Sequence, residues 1–197
     1  LSAEEIERLP AFHRYLDVDG DGVAARTLPG THPKGAYFVR GSGHNKFGGY
    51  TEDSDEYQEV VDRLRRKWET AATLVPAPEI RPARAGGRWG IVALGSSGPA
   101  VEEAIDRLAE RGLDLAYCRV RGFPFGRAVE DFLAQHERLF VVEQNRDAQL
   151  KSLIMIETGC PPQKLTSVLS YGGLPIDCRC IIDAIEKADA AARGAAA

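Results

Sequence analysis

Two clusters of polar side chains have the types and positions that could do chemistry. Glu143, Gln144 and Asn145 follow a short apolar run, and His44 and Asn45 lie in the glycine-rich string GSGHN. Such groups can contact a ligand or a partner, but they can also cap a helix or hold their own loop. We name these five residues as candidate contacts to a cofactor or a subunit interface, and we assign no catalytic residue.

The metal-ligand patterns in the sequence are incomplete. The string DVDGDG at 17–22 matches the start of a calcium loop, but position twelve of that loop falls on Leu28 instead of a glutamate. We therefore interpret the string as an Asp/Gly turn. Cys178 and Cys180 form C-x-C, whereas zinc and iron-sulfur sites usually use C-x-x-C. The sequence predicts no metal site.

A further loop, GSSG at 95–98, lies where an anion could meet a helix N-terminus. It lacks the lysine of a Walker loop and completes neither G-x-G-x-x-G nor G-x-S-x-G. A turn in which Ser97 caps the following helix is the favoured interpretation, and nucleotide binding or an esterase elbow remains as the alternative.

The elements that would position these residues follow from the hydrophobic period. After a Pro/Gly-rich segment at 75–87, short apolar runs alternate four times with helical patterns. The predicted strands are 89–94, 115–120, 139–142 and 165–169, and the predicted helices begin at Pro99, Arg127, Asp147 and Asp177. This alternation is typical of an α/β sandwich with a mostly parallel sheet, here over 88–197. We expect Asp147 and Asp177 to cap their helices.

Residues 1–74 give a different pattern. They are rich in loops until one long amphipathic helix, capped near Asp53 or Ser54, whose apolar residues are Tyr57, Val60, Val61, Leu64 and Trp68. A loop-rich segment with one such helix cannot bury much surface alone, so we expect it to pack against the α/β domain or a partner.

Composition excludes several classes of protein. The 197 residues have 44% hydrophobic and 27% charged residues, as globular proteins do, and the net charge of −4 argues against nucleic-acid binding. No apolar stretch approaches the roughly 20 residues of a membrane span, and no signal segment opens the chain. We expect a cytoplasmic protein.

Four strings together resemble a known family, the alpha subunit of thiamine-diphosphate-dependent 2-oxoacid:ferredoxin oxidoreductases. They are RTLPG (26–30), GSGHNKFGGYTEDSDEYQEVVDRLRRKW (41–68), VVEQNRDAQLKSLI (141–154) and YGGLPI (171–176). The resemblance implies that 1–74 is the end of a pyrimidine-binding domain with a connecting segment, and that 75–87 is a linker. It implies a three-layer α/β/α domain similar to the transketolase C-terminal domain over 88–197. The family's cofactor and substrate loops would lie upstream of Leu1.

The resemblance also implies a function, the oxidative decarboxylation of a 2-oxoacid, with 2-oxoglutarate favoured. Coenzyme A would accept the acyl group to give an acyl-CoA, and the iron-sulfur cluster would take the electrons. Thiamine diphosphate, magnesium and an iron-sulfur cluster would belong chiefly to the beta subunit, with ferredoxin as a further partner. This chain would serve assembly and cover the cofactor cleft, and alone it would be inactive. The alternatives are a stand-alone flavodoxin-like ligand-binding module and a non-catalytic scaffold.

Overall fold

The computed structural model describes residues 1–195, so Ala196 and Ala197, the last two residues of the predicted 88–197 domain, lie outside it. The chain divides into two compact units, Leu1–Leu74 and a second that begins at Val75. None of the helices within residues 1–195 combines the length and apolarity needed to cross a membrane.

The second unit is built on a five-stranded sheet. Its strands are β1 (Glu79–Arg81), β2 (Trp89–Leu94), β3 (Leu115–Val120), β4 (Arg138–Glu143) and β5 (Leu165–Leu169), in the order β1-β3-β2-β4-β5. The pairs β2–β3, β2–β4 and β4–β5 are parallel, and β1 pairs antiparallel with β3. The predicted mostly parallel α/β sheet is confirmed.

Helices cover both faces of this sheet because alternate strand residues point to opposite sides. On one face, α3 (Gly98–Glu110) and α6 (Cys178–Ala195) pack on Ile91, Tyr117 and Phe140. On the other, α4 (Arg127–Gln135) and α5 (Gln149–Thr158) pack on Val92, Cys118 and Val141. The second unit is therefore a three-layer α/β/α sandwich.

The segment at 75–87 differs from the expected linker. It contains β1, whose three residues Glu79, Ile80 and Arg81 pair with Arg119, Cys118 and Tyr117. Arg81 and Arg84 both form ion pairs with Asp106 of α3, at 2.5 and 3.0 Å. Backbone pairing attaches the segment to the sheet, and the ion pairs attach it to α3. The prolines around the three strand residues hid β1 in the sequence.

The first unit contains α1 (Ala3–Arg8), a short 3-10 turn at Pro33–Gly35, and α2 (Ser54–Leu74). Asp53 accepts hydrogen bonds from the Asp55 and Glu56 backbone N–H groups at 3.0 Å each, as expected of an N-cap. Of the five apolar residues that the sequence predicted for the apolar face of α2, Val60 is buried. The other four, Tyr57, Val61, Leu64 and Trp68, are 46 to 54% exposed.

Candidate functional site

The carboxyl ends of β2 and β4 form the place where an open α/β sheet usually binds its ligand. The helix after β2 (α3) lies on one face and leads to β3, whereas the helix after β4 (α5) lies on the other face and leads to β5, so the strand order reverses between the neighbouring strands β2 and β4. The loop at 95–98 continues from β2, and Gln144 follows β4 directly. The structure thus brings together two of the strings singled out in the sequence.

Gln144 bridges this crevice. Its side-chain Nε2 donates to Ser96 Oγ at 3.0 Å and to Ser97 Oγ at 3.3 Å, and its Oε1 accepts from the Ile176 backbone N–H at 3.2 Å. One amide therefore connects the end of β4 to the 95–98 loop and to the chain that precedes α6. This exposed amide lies beside the loop through which an anion would approach the N-terminus of α3.

Glu143 is a buried carboxylate, 3% exposed, at the N-terminus of α5. Its oxygens accept from the Leu150 backbone N–H at 2.7 Å, the Lys151 N–H at 3.2 Å and Asn145 Nδ2 at 2.6 Å. Unpaired N–H groups and the helix dipole both favour a negative charge there. Glu143 therefore acts as the cap that we expected Asp147 to provide, while Asp147 forms an ion pair with Arg146 at 2.7 Å.

Asn145 holds the loop between Glu143 and the helix. Its Oδ1 accepts from the Asp147 and Gln149 backbone N–H groups at 3.0 and 3.3 Å. Ala148 has φ of 51°, a left-handed conformation that alanine rarely adopts. The polar groups of Glu143, Gln144 and Asn145 are thus directed mainly at their own chain, and they fix the shape of this loop.

His44 and Asn45 lie in the first unit, in a tight loop closed by a bridge between His44 and Tyr50. His44 Nδ1 lies 2.9 Å from the Asn45 carbonyl oxygen, so this nitrogen carries the proton, and the ring packs 4.1 Å from that of Tyr15. Asn45 Oδ1 accepts from the Phe47 and Gly49 N–H groups at 3.1 and 3.0 Å. The two side chains organise the loop that displays Phe47, which is 54% exposed.

Asp17, Asp19 and Asp21 form the acidic cluster that the sequence suggested, with carboxylate oxygens within 4.8 Å of one another. Asp17 accepts from the Gly20 and Gly22 N–H groups at 3.0 Å each and pairs with Arg66 at 3.4 Å. These are the bonds of an Asp/Gly turn, and an arginine already neutralises the most buried carboxylate.

The sequence did not identify a group of charged residues at the end of β3. Glu79 of β1 lies 3.0 Å from Arg119 and 3.6 Å from Arg121. Two arginines at i and i+2 at a strand end were the available signal, since they point to the same side. Their partner could not be found because β1 was interpreted as linker.

Comparison with known proteins gives a consistent result. No family model matches the chain. The alpha subunit of 2-oxoacid:ferredoxin oxidoreductase 2 from Aeropyrum pernix is 27% identical over 175 residues, which cover 87% of this chain and 26% of that subunit. The chain therefore spans about a quarter of the length of this curated relative.

Among solved structures, 2-oxoglutarate:ferredoxin oxidoreductase from Magnetococcus marinus, with 2-oxoglutarate, coenzyme A and succinyl-CoA bound, aligns with a TM-score of 0.78. The two sequences are 22% identical, and the alignment covers 92% of this chain and 31% of the Magnetococcus marinus chain. A split-gene transketolase and an alpha chain of a probable 2-oxoacid ferredoxin oxidoreductase from Thermoplasma acidophilum align at 0.44 and 0.36. The chain is thus a homologue of part of the alpha subunit of 2-oxoacid:ferredoxin oxidoreductases.

Proposed function

We propose that the chain is the part of such an alpha subunit that supports assembly, in an enzyme that converts a 2-oxoacid and coenzyme A to an acyl-CoA and reduces ferredoxin. Sequence similarity carries this proposal, because an alignment over 87% of the chain must include both of its units. We favour 2-oxoglutarate as substrate because the solved structure with the same fold over 92% of the chain is a 2-oxoglutarate enzyme.

The exposed apolar residues of the first unit support an assembly role. Along α2, Tyr57, Val61, Leu64 and Trp68 follow the spacing i, i+4, i+7 and i+11, so they share one helix face. A stripe of this kind, close to half exposed in the chain alone, is typical of a surface that another chain covers. The partners we propose are the upstream part of the alpha subunit and the beta subunit.

The second unit does not fit the family's cofactor. The crevice that could take a diphosphate is bridged by Gln144, and the buried carboxylate of Glu143 at the adjacent helix N-terminus would repel an anion. We therefore propose that thiamine diphosphate, magnesium and the iron-sulfur cluster are held by the partner chain, and we derive no catalytic step through these residues.

The five candidate contacts take a supporting role in this proposal. His44 and Asn45 shape a loop that presents Phe47, and Glu143, Gln144 and Asn145 shape the loop before α5. We propose that these loops contribute to a subunit interface or cover the cofactor cleft through the surface they present. The alternative of a flavodoxin-like ligand-binding module is not favoured, since Gln144 bridges the loop at 95–98 that it would use. We propose the cytoplasm as the location of the complex.

Affinity capture through this region in the source cells tests the proposal. We expect a longer parent polypeptide and a beta subunit to co-elute with iron, sulfide and thiamine diphosphate. The complex should reduce a viologen dye with 2-oxoglutarate only when coenzyme A is present, and the purified 197-residue chain should not. Decarboxylation by the 197-residue chain alone, or elution free of both cofactors, would contradict the proposal.

A further inference from the structure

A cavity of about 580 Å³ opens in the second unit at the carboxyl ends of β2 and β3. It lies between the β2 end at Leu94 and Gly95, the β3 end at 120–123, and the first turns of α5. This volume is within the roughly 300–1,000 Å³ of small-molecule sites. The crevice bridged by Gln144 lies on the other side of β2, between β2 and β4, so the cavity adjoins it at Gly95 of the 95–98 loop but does not contain Gln144.

The base of the cavity is apolar and firmly packed. Phe125 and Leu150 are 7% and 5% exposed and belong to the core between the sheet and α4 and α5. Phe123 packs edge-on against Phe125, with ring centroids 5.2 Å apart, and Leu153 completes this side. Such walls favour an apolar ligand body, because contact removes hydrocarbon surface from water.

The rim of the cavity carries an excess of positive charge. Glu79 is the carboxylate among its lining residues, and it faces two guanidinium groups, Arg119 at 3.0 Å and Arg121 at 3.6 Å. Arg119 also donates to the Gly95 carbonyl oxygen at 3.4 Å. Within residues 1–195, Arg121 makes its ion pair with Glu79 but no hydrogen bond. One guanidinium with unused donors therefore stands beside an apolar wall.

We propose that this cavity binds a small organic anion with an apolar body, such as an aryl- or alkyl-carboxylate. The carboxylate pairs with Arg121, whose planar group can donate two parallel hydrogen bonds, and the apolar body lies on Phe125 and Leu153. The single excess charge matches a monoanion better than a diphosphate. This proposal rests on the second unit alone and is independent of the proposed function.

Titration of the ¹⁵N-labelled 197-residue chain with 4-phenylbutyrate, followed by amide NMR shifts, tests the proposal. We expect saturable shifts at 94–95, 119–125 and 150–153, with a Kd of about 1 mM or below. The amide analogue 4-phenylbutyramide, which has the same body without the charge, should bind roughly fivefold more weakly. Arg121→Gln should raise the Kd of 4-phenylbutyrate by a similar factor and leave the Kd of 4-phenylbutyramide unchanged.

Arg127→Gln is the matched control, since this exposed arginine at the start of α4 lies outside the cavity. It should bind 4-phenylbutyrate as the unaltered chain does. Leu153→Trp, which narrows the cavity, should weaken the binding of 4-phenylbutyrate and of 4-phenylbutyramide by the same factor. Equal binding of the two probes, shifts confined to residues 1–74, or no saturation at about 10 mM would overturn the proposal.

Discussion

Glu143 shows at the scale of a single residue how a candidate ligand contact serves the fold. Its carboxylate accepts three hydrogen bonds in a buried position. In Glu143→Gln, an NH2 group takes the place of one carboxylate oxygen. It cannot accept a hydrogen bond from the Leu150 and Lys151 N–H groups or from Asn145 Nδ2. We expect the free energy of unfolding to fall by about 2–3 kcal/mol in urea denaturation. Asp147→Asn, which alters an exposed carboxylate of the same loop, should cost under about 0.5 kcal/mol. Equal effects would contradict the capping role.

Asp114 gives a second residue-scale prediction, on pH. Burial works to raise the pKa of this carboxyl, but hydrogen bonds from the Ala85, Arg84 and Gly87 backbone N–H groups outweigh it and hold the pKa below 3.8. A lowered folded-state pKa contributes stability that is present above pH 3.8 and is lost as the pH falls through the folded value.

We therefore expect the difference in Tm between the unaltered chain and Asp114→Asn to be largest near neutral pH and to shrink below about pH 4. Thermal melts between about pH 3 and pH 7 measure it. Asp183→Asn, at an exposed position of α6, is the control and should give a small difference throughout. A Tm difference for Asp114→Asn that is the same across this range would be inconsistent with the lowered pKa.

At the scale of elements, the apolar stripe of α2 predicts a defect in assembly without a defect in folding. Leu64 is 47% exposed, so Leu64→Asp should leave the Tm of the isolated chain nearly unchanged. In the full complex, the same change should reduce the amount of beta subunit that co-purifies with this region several-fold. Gln58→Asp adds the same charge to an exposed polar position of α2 and should have little effect on either measurement. If both variants assemble equally well, the stripe is not an interface.

The elements themselves could be predicted because hydrophobic period and caps are local signals. Three of the four predicted strands have the observed ends, and Asp53 and Asp177 cap α2 and α6 as expected, the latter by accepting from the Cys180 N–H at 3.1 Å. The caps of α3 and α5 could not be predicted. Ser97 is bonded to Gln144 instead, and Glu143 reaches a helix that begins six residues later. Both depend on contacts that only the folded sheet creates.

The sequence predicted where the candidate site residues lie along the chain but not what they contact, because these contacts join residues that are distant in sequence. Sequence order places Gln144 at a strand end, but its bonds to Ser96 and Ile176 span 48 and 32 residues. β1 escaped prediction because three residues among prolines have no usable period. The cavity at Arg119 and Arg121 then remained hidden, since Glu79 lies on that strand.

At the scale of the whole molecule, Cys118 reports on the stability of the second unit. It lies fully buried in β3, between β1 and β2, and burial raises its thiol pKa to about 12. Because the thiolate is the reactive form, a disulfide reagent at about pH 8 should modify Cys118 only through opening of the unit. The modification rate should rise with urea in parallel with unfolding.

Cys180 is partly exposed and should react earlier in the same experiment. Cys160 and Cys178 are free and buried as well, so the variant Cys160→Ala/Cys178→Ala/Cys180→Ser, which keeps Cys118 alone, assigns the slow phase to that thiol. Reaction of Cys118 at the rate of Cys180 in the absence of urea would mean that the core opens locally.

The attachment of β1 has a mechanical consequence for the junction between the units. Tension on the chain before Val75 reaches the sheet through three residues at its edge and the ion pairs of Glu79, Arg81 and Arg84. An edge strand loaded at one end peels one hydrogen bond at a time, so β1 yields before the parallel strands do. Its release would free residues 75–83, up to the point where Asp114 holds the backbone N–H groups of Arg84 and Ala85, and this length reaches about 30 Å when fully extended. The junction thus holds a reserve of chain length that can be drawn out while the rest of the sheet stays folded.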